Sequence, residues 1–149
     1  MSEVLEFTID KFTFKIPTDR YYHHEGVWAL AEGDRVRIGL SDFLQQSSGD
    51  IAFAEVELEG TDLAFGDEVA TIETMKTDVI LPAPAAGTVV EVNPAMETEP
   101  EVINQDPYGE GWLAVIEAED WESNRAGLLD PQAYFALVKE LAEEEMSKV

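Results

Sequence analysis

The chain has 149 residues, of which 45% are hydrophobic, so it can bury a core as one compact domain. Its formal net charge of -23 argues against binding to nucleic acid or to an anionic membrane, because both attract clusters of lysine and arginine. The absence of cysteine excludes disulfides, thiolate metal sites and cysteine nucleophiles. No apolar run could span a bilayer and the N-terminus lacks signal-peptide features, so a cytoplasmic protein is expected.

The first third of the chain predicts strands followed by a short helix. Residues 3–16 alternate in places, which indicates an edge strand that ends at Pro17. A second strand is predicted in the segment DRVRIGL, where alternate apolar residues share one face. Ser41 is the predicted N-cap of a helical turn that runs through Gln46.

The middle of the chain predicts several short strands. In DIAFAEVELEG, Leu58 and the alternate apolar residues before it are expected on one face, with Glu55, Glu57 and Glu59 towards solvent as an edge that discourages aggregation. Further strands are predicted in DEVATIE, DVIL, GTVVEVN and GWLAVIEAE. Short strands between frequent Gly and Pro turns are typical of a small barrel or sandwich.

Helices are predicted at the end of the chain. A short helical turn is expected after Asp120, and Asp130 followed by Pro131 predicts the start of a longer helix. The helix would lay one apolar stripe on the body of the protein, because its apolar residues recur at helical spacing. The stripe consists of Tyr134, Leu137, Val138 and Leu141.

Lys76 is the only lysine or arginine between Ile38 and Asn124, a stretch rich in carboxylates. Most lysines are solvated surface charges. A catalytic lysine needs burial or neighbouring cations to lower its pKa, whereas Glu73 and Asp78 are anionic neighbours. An acylated lysine fits better, since it must project from a rigid turn between two strands where a modifying enzyme can reach it.

Longer segments of the sequence resemble one family. The segments GDEVATIETMKTDVILPAPAAGTVVEVN and DPYGEGWL resemble the glycine cleavage system H proteins, which place a lipoyl-lysine in an ESVKA turn and continue with SGEVVEVN and DPYG-x-GWL. Upstream, HHEGVW and GLSDFLQQSSGDIAFAEV are similar to other segments of that family. The resemblance extends over about residues 21–134, which is most of the chain.

The resemblance implies a mainly β fold, a barrel-sandwich hybrid of the lipoyl and biotinyl type with a short inner helix and a C-terminal helix. It implies a single lipoyl-carrier domain over residues 1–149. We expect an N-terminal extension with an edge strand at 1–20, the hybrid core at 21–119 and C-terminal helices at 120–149.

The resemblance also implies a function. Lipoate would be attached to Lys76 through an amide, and the protein would be a non-catalytic swinging-arm carrier. A histidine shelters the loaded arm in that family, and His24 is the residue assigned to this role here. The residues expected to form the turn around the lipoyl lysine are Glu73, Thr74, Met75, Thr77 and Asp78.

Two departures from the family pattern bear on the pathway. The N-terminal segment is longer than usual, and Met75 and Thr77 flank the lysine in place of valine and alanine. These departures resemble lipoate-binding proteins of bacterial sulfur oxidation, so a sulfur intermediate carried to a heterodisulfide-reductase-like complex is the first expectation. Glycine cleavage, with an aminomethyl cargo, is the alternative. A biotin carrier is a lesser alternative, since Met75 fits the biotin turn but Thr77 does not, and an unmodified scaffold also stays open.

The resemblance names the partners as well. A lipoate ligase or transferase would modify Lys76, and a monomer is expected. The partner enzymes would have basic docking rims, and they would be either the heterodisulfide-reductase-like complex or the glycine cleavage P, T and L proteins. The high negative charge would suit such docking, or adaptation to salt.

Two remaining groups carry no predicted metal or substrate site. His23 and His24 would point to opposite faces of a strand, so no metal site is expected. Tyr108 and Trp112 in DPYGEGW are expected to anchor a turn.

Overall fold

The computed structural model describes residues 3–147 of the chain. The strands in this range are β1 (Val4–Ile9), β2 (Phe12–Pro17), β3 (Tyr21–Tyr22), β4 (Val27–Glu32), β5 (Arg35–Leu40), β6 (Ile51–Val56), β7 (Asp62–Leu63), β8 (Glu68–Thr74), β9 (Asp78–Pro82), β10 (Gly87–Val92) and β11 (Ala114–Ala118). The helices are α1 (Asp42–Ser48), α2 (Ala95–Thr98), α3 (Val102–Gln105), α4 (Trp121–Arg125) and α5 (Pro131–Ser147). Within residues 3–147 no helix combines the length and the apolar character that a membrane crossing requires.

The strands form three antiparallel sheets. A six-stranded sheet has the order β3-β4-β5-β11-β10-β7, and a three-stranded sheet has the order β6-β8-β9. The third sheet is the hairpin of β1 and β2. The prediction of a mainly β barrel-sandwich hybrid with a short inner helix and a C-terminal helix is confirmed.

The main core lies between the two larger sheets. Ile38 of β5, Ile72 of β8 and Ile116 of β11 are fully buried in it, and they are inward residues of alternating strands. Met96 of α2 and Ile103 of α3 close the same core. Strands β8 and β9, which carry Lys76 between them, are therefore anchored in a packed interior.

The N-terminal segment differs from its prediction. A single edge strand was expected over residues 3–16, and the structure has two strands, β1 and β2, joined by a turn at Asp10 and Lys11. Asp10 has φ 55, a left-handed conformation that aspartate tolerates better than most residues. The period of alternation could not show this reversal, because each arm of the hairpin alternates in the same way.

A second apolar cluster joins this hairpin to the body of the protein. Phe14 and Ile16 of β2 pack with Phe43 of α1 and with Tyr134 and Val138 of α5. The predicted stripe of α5 is confirmed, and the Asp130 carboxylate accepts a hydrogen bond from the amide of Ala133 at 2.8 Å. The predicted helix after Asp120 is also confirmed, as α4.

The predicted face of β6 is only partly correct. Ala54 and Val56 pack against the main core, and Glu55, Glu57 and Glu59 are exposed as expected. Leu58, however, lies beyond the end of the strand and is 77% exposed. Ala52 is exposed because the register of β6 shifts between Ile51 and Phe53.

Candidate functional site

The turn between β8 and β9 carries Lys76 at its tip. Glu73 and Asp78 are the pair that ends the ladder of these strands. Beyond them the amide of Thr74 donates to the carbonyl of Thr77 at 2.9 Å and closes the turn. The backbone therefore reverses direction over two residues, Met75 and Lys76, between β8 and β9.

The hydroxyl of Thr74 organises the turn from inside. It accepts hydrogen bonds from the amides of Thr77 at 3.1 Å and Lys76 at 3.3 Å, and it donates to the Thr77 carbonyl at 3.0 Å. Thr74 is half-buried, whereas Glu73, Met75, Lys76, Thr77 and Asp78 are exposed. The structure thus brings together all the turn residues that the sequence predicted around Lys76 and leaves the lysine accessible.

A groove of about 210 Å³ lies beside Lys76. It is formed by the β1–β2 hairpin, the C-terminal part of α1 and the end of α5. Its lining residues are Ile9, Phe12, Phe14, Gln46, Ser47, Lys76, Ala142, Glu145 and Met146. Most of these side chains are apolar, so the groove can take an uncharged aliphatic group attached to the lysine.

Gly49 lies against the end of the Lys76 side chain, and Asn104 holds Gly49 in place. The Cε of Lys76 lies 3.2 Å from the position of a Cβ on Gly49, so the lysine side chain passes over this glycine. The Asn104 amide group donates to the Gly49 carbonyl and to Gln45 Oε1, each at 3.0 Å, and its Oδ1 accepts from the Ile51 amide at 2.9 Å. Sequence reasoning missed Asn104, because its three partners lie far from it in the chain.

His24 does not line the groove beside Lys76. It lies in a turn between β3 and β4, and its ring stacks on His23 with centroids 4.4 Å apart. The ring centroids of His23 and Phe65 lie 5.7 Å apart. The structure therefore does not bring the predicted histidine together with the lysine, and the polar lining residues besides Lys76 are Gln46, Ser47 and Glu145.

The expectation that the two histidines diverge is wrong. They lie in a turn in which the Gly26 amide donates to the His23 carbonyl at 2.8 Å, so the strand alternation does not apply. Ligand atoms of His23, His24 and Glu25 all lie within 4.8 Å of one another, and they form the one group of this kind in the described residues. Burial lowers the pKa of His23, the adjacent His24 lowers it further, and Glu25 acts in the opposite direction.

The DPYGEGW segment is a structural turn, as predicted. The Asp106 carbonyl accepts hydrogen bonds from the amides of Gly109 and Gly111. The Tyr108 hydroxyl donates to the Lys15 carbonyl at 2.6 Å, which fastens the N-terminal hairpin to the body. Trp112 packs under the guanidinium of Arg37, whose carbon lies 4.5 Å from the ring centroid.

The sequence is similar to sequences of one known family over most of its length. The family model described as "Glycine cleavage H-protein" matches residues 20–141. The glycine cleavage system H protein of Thermus thermophilus is 43% identical over 119 residues, which are 80% of this chain and 92% of the relative. A probable glycine cleavage system H protein of Haloarcula marismortui is 37% identical over 122 residues, which are 82% of this chain and 95% of the relative.

A solved structure is similar as well. The crystal structure of a glycine cleavage system H protein from Mycobacterium marinum superposes with a TM-score of 0.73 at 33% sequence identity. The superposition covers 80% of this chain and 95% of the other. The match to the family model begins at residue 20, after the β1–β2 hairpin that forms one wall of the groove.

Proposed function

Since the chain belongs to the glycine cleavage H-protein family, we propose that it is a lipoyl carrier of the glycine cleavage system, with lipoate on Lys76. Proteins of this family are non-catalytic carriers whose lipoate is attached covalently to a lysine. The observation that carries the assignment to Lys76 is its position. It is exposed at the tip of the β8–β9 hairpin, where a modifying enzyme can reach its amine.

The residues around Lys76 suit this attachment. A lipoate ligase or transferase would join the lipoyl carboxyl group to the ε-amine, and the amide that forms removes the positive charge. When attached, lipoate supplies a dithiolane at the end of a long arm, which is chemistry that a chain without cysteine lacks. Thr74 holds the turn in place, while Glu73 and Asp78 present carboxylates on both sides of the lysine to the modifying enzyme.

The groove beside Lys76 fits the arm. Its apolar lining can cover an aliphatic chain and a dithiolane, and the lysine side chain already lies at its edge. The arm would leave the groove when it visits a partner enzyme. Tethering then holds the carried group at a high effective concentration near each partner site.

The relatives favour glycine cleavage over the sulfur pathway. The longer N-terminal segment and the altered turn suggested a sulfur intermediate and a heterodisulfide-reductase-like partner, but the proteins compared above are named for glycine cleavage. We therefore assign the aminomethyl group from glycine decarboxylation as the cargo. The P, T and L proteins are the partner enzymes under this assignment, and neither the sulfur pathway nor the biotin carrier is retained.

Intact mass and peptide mapping of protein from its native host test the attachment. We expect the mass of one lipoyl group on Lys76. Lys76→Arg should lose this mass and keep the melting temperature, whereas Lys139→Arg, on α5, should keep both. An unmodified Lys76 would overturn the carrier proposal, and a biotinyl group there would replace it with carboxylase chemistry.

A second experiment tests the pathway. Lipoylated protein is mixed with purified P, T and L proteins, glycine and the cofactors of those enzymes, and release of carbon dioxide from glycine is measured. We expect release that depends on lipoylated Lys76. No release with the wild-type lipoylated protein would contradict the assignment to glycine cleavage while leaving the lipoyl attachment intact.

A further inference from the structure

The outer face of the β6-β8-β9 sheet is defined by its register. Phe53 pairs with Glu73, and Glu73 pairs with Asp78. Two residues along, Glu55 pairs with Thr71, and Thr71 pairs with Ile80. Directly paired residues of antiparallel strands share a face, and residues two apart on one strand share it too. These six side chains therefore lie on one face, opposite the face that buries Ile72.

Two large apolar side chains are exposed on this face. Phe53 is 67% exposed and Ile80 is 62% exposed. Met75, in the turn that ends the same sheet, is 87% exposed. Single exposed apolar residues are ordinary, but a group on one rigid face beside a proposed attachment site indicates an interaction surface. We call Phe53, Ile80, Met75 and the carboxylates Glu55, Glu73 and Asp78 the outer-sheet patch.

All charged side chains of the outer-sheet patch are carboxylates. Glu55, Glu73 and Asp78 are exposed around its apolar residues. Lys76 is the only lysine or arginine from Ile38 to Asn124, and an amide on its amine removes that charge. The surface that the modified protein presents beside its arm is then apolar at the centre and anionic at the rim.

We propose that the outer-sheet patch is the docking surface for a partner enzyme that acts on the loaded arm, and that this enzyme presents an apolar surface flanked by lysine or arginine. The inference rests on the proposed function, since it takes Lys76 as the attachment site. Apolar contact would supply affinity and the opposite charges would steer association and fix orientation. A second copy of this chain fits less well, because a twofold contact would set carboxylates against carboxylates in a protein of net charge -23.

The location of the patch suits the arm. Met75 is adjacent to Lys76 in the turn, and Glu73 and Asp78 are the last paired residues before it. An enzyme bound to this face would hold its own active site within reach of the arm. Docking on strands that are anchored in the core also keeps the attachment point at a fixed position relative to the enzyme.

The test uses full-length lipoylated protein, with the modification of Lys76 verified by intact mass in every sample. Binding to the purified P, T and L proteins is measured by calorimetry at two salt concentrations. The double variant Phe53→Thr with Ile80→Thr keeps β-favouring residues and should weaken binding to at least one partner by about tenfold or more. Leu58→Thr is the matched control, because Leu58 is 77% exposed but lies beyond the end of β6, and it should bind as the wild type does.

The charged rim is tested separately. Glu73→Gln with Asp78→Asn should weaken binding to the same partner at low salt and reduce the dependence of its affinity on salt. Unchanged affinity of the apolar double variant for all three partners would overturn the docking proposal, as would an equal loss in Leu58→Thr. A wild-type dimer that the apolar double variant dissociates would assign the patch to self-association. Wild-type protein that carries no lipoyl group on Lys76 would instead contradict the proposed function.

Discussion

The side chain of Lys76 passes directly over Gly49, with its Cε 3.2 Å from the position that a Cβ on Gly49 would take. Gly49 follows α1 and has φ 89, a conformation that side-chain-bearing residues rarely adopt. The glycine therefore meets two requirements at once. It ends the helix, and it leaves room for the lysine at the edge of the groove.

Gly49→Ala is expected to lower the free energy of unfolding by about 1–3 kcal/mol, because alanine is strained at this φ. The end of the lysine side chain is flexible, so the new methyl group should displace it from the groove edge without a large further loss. Labelling of Lys76 by an amine-reactive reagent should then rise. Urea unfolding and peptide mapping of the labelled protein measure the two effects.

Gly60→Ala is the matched control for this prediction. Gly60 has φ 91, but no atom lies within 4 Å of its Cβ position. A similar loss of stability with unchanged labelling of Lys76 is expected. If both variants changed the labelling equally, the contact between Gly49 and Lys76 would have no role of its own.

Removing the hydroxyl of Thr74 should loosen the turn that carries Lys76. Thr74→Val keeps the shape of the side chain and loses the hydrogen bonds to the amides of Lys76 and Thr77. We expect a loss of stability of about 1 kcal/mol and faster hydrogen exchange at these two amides, measured by NMR. Thr74→Ser keeps the hydroxyl and should exchange like the wild type, and equal exchange rates in Thr74→Val would contradict the role of the hydroxyl.

Asn104 of α3 holds the stretch from the end of α1 to the start of β6, which contains Gly49. Asn104→Ala would leave the Ile51 amide, the Gly49 carbonyl and Gln45 Oε1 without this partner, so a loss of about 1–3 kcal/mol is expected from the urea midpoint. Gln105→Ala, at the exposed next residue of α3, should change stability by less than about 0.5 kcal/mol. Equal losses in the two variants would show that the helix, and not the amide network, supports this region.

Local patterns predicted the parts of the site that depend on neighbouring residues. The strands around Lys76 follow from turn-bounded runs of β-branched residues, and the start of α5 follows from Asp130 and Pro131, because caps and turns are set within a few positions. The position of Lys76 in a turn between two predicted strands indicated an acylated lysine, and the family resemblance identified lipoate as the attached group.

Contacts between distant segments could not be predicted in the same way. Asn104 reaches Gly49 across 55 positions, and the groove combines the N-terminal hairpin with α5. The prediction that His23 and His24 point to opposite faces was wrong for a different reason. The segment YYHHEG was interpreted as strand, whereas the strand ends at Tyr22 and a turn follows, so the alternation rule was applied to the wrong backbone. The proposed role of His24 came from the resemblance, and the structure places His24 away from the groove.

Three tyrosines of the second apolar cluster, two of them buried and Tyr108 partly buried, connect the stability of the protein to alkaline pH. Burial raises the pKa of Tyr22, Tyr108 and Tyr134 above the ordinary value of 10.0. The Tyr22 hydroxyl donates to the Pro17 carbonyl at 2.6 Å, and the Tyr134 hydroxyl shares a hydrogen bond of 2.6 Å with Ser41. In the unfolded chain these phenols ionise near pH 10, whereas in the folded protein they stay protonated.

The contribution of these tyrosines to the free energy of unfolding should therefore be fully present below pH 10. It should be lost as the pH rises further, because the unfolded state then binds fewer protons. Each tyrosine contributes about 1.4 kcal/mol per pH unit in that range. Urea unfolding between pH 8 and about pH 11 measures the slope, and Tyr134→Phe, which cannot ionise, should reduce it by the contribution of one tyrosine. Parallel curves for the wild type and Tyr134→Phe would contradict the coupling, since they would mean that Tyr134 ionises equally in the folded and unfolded states.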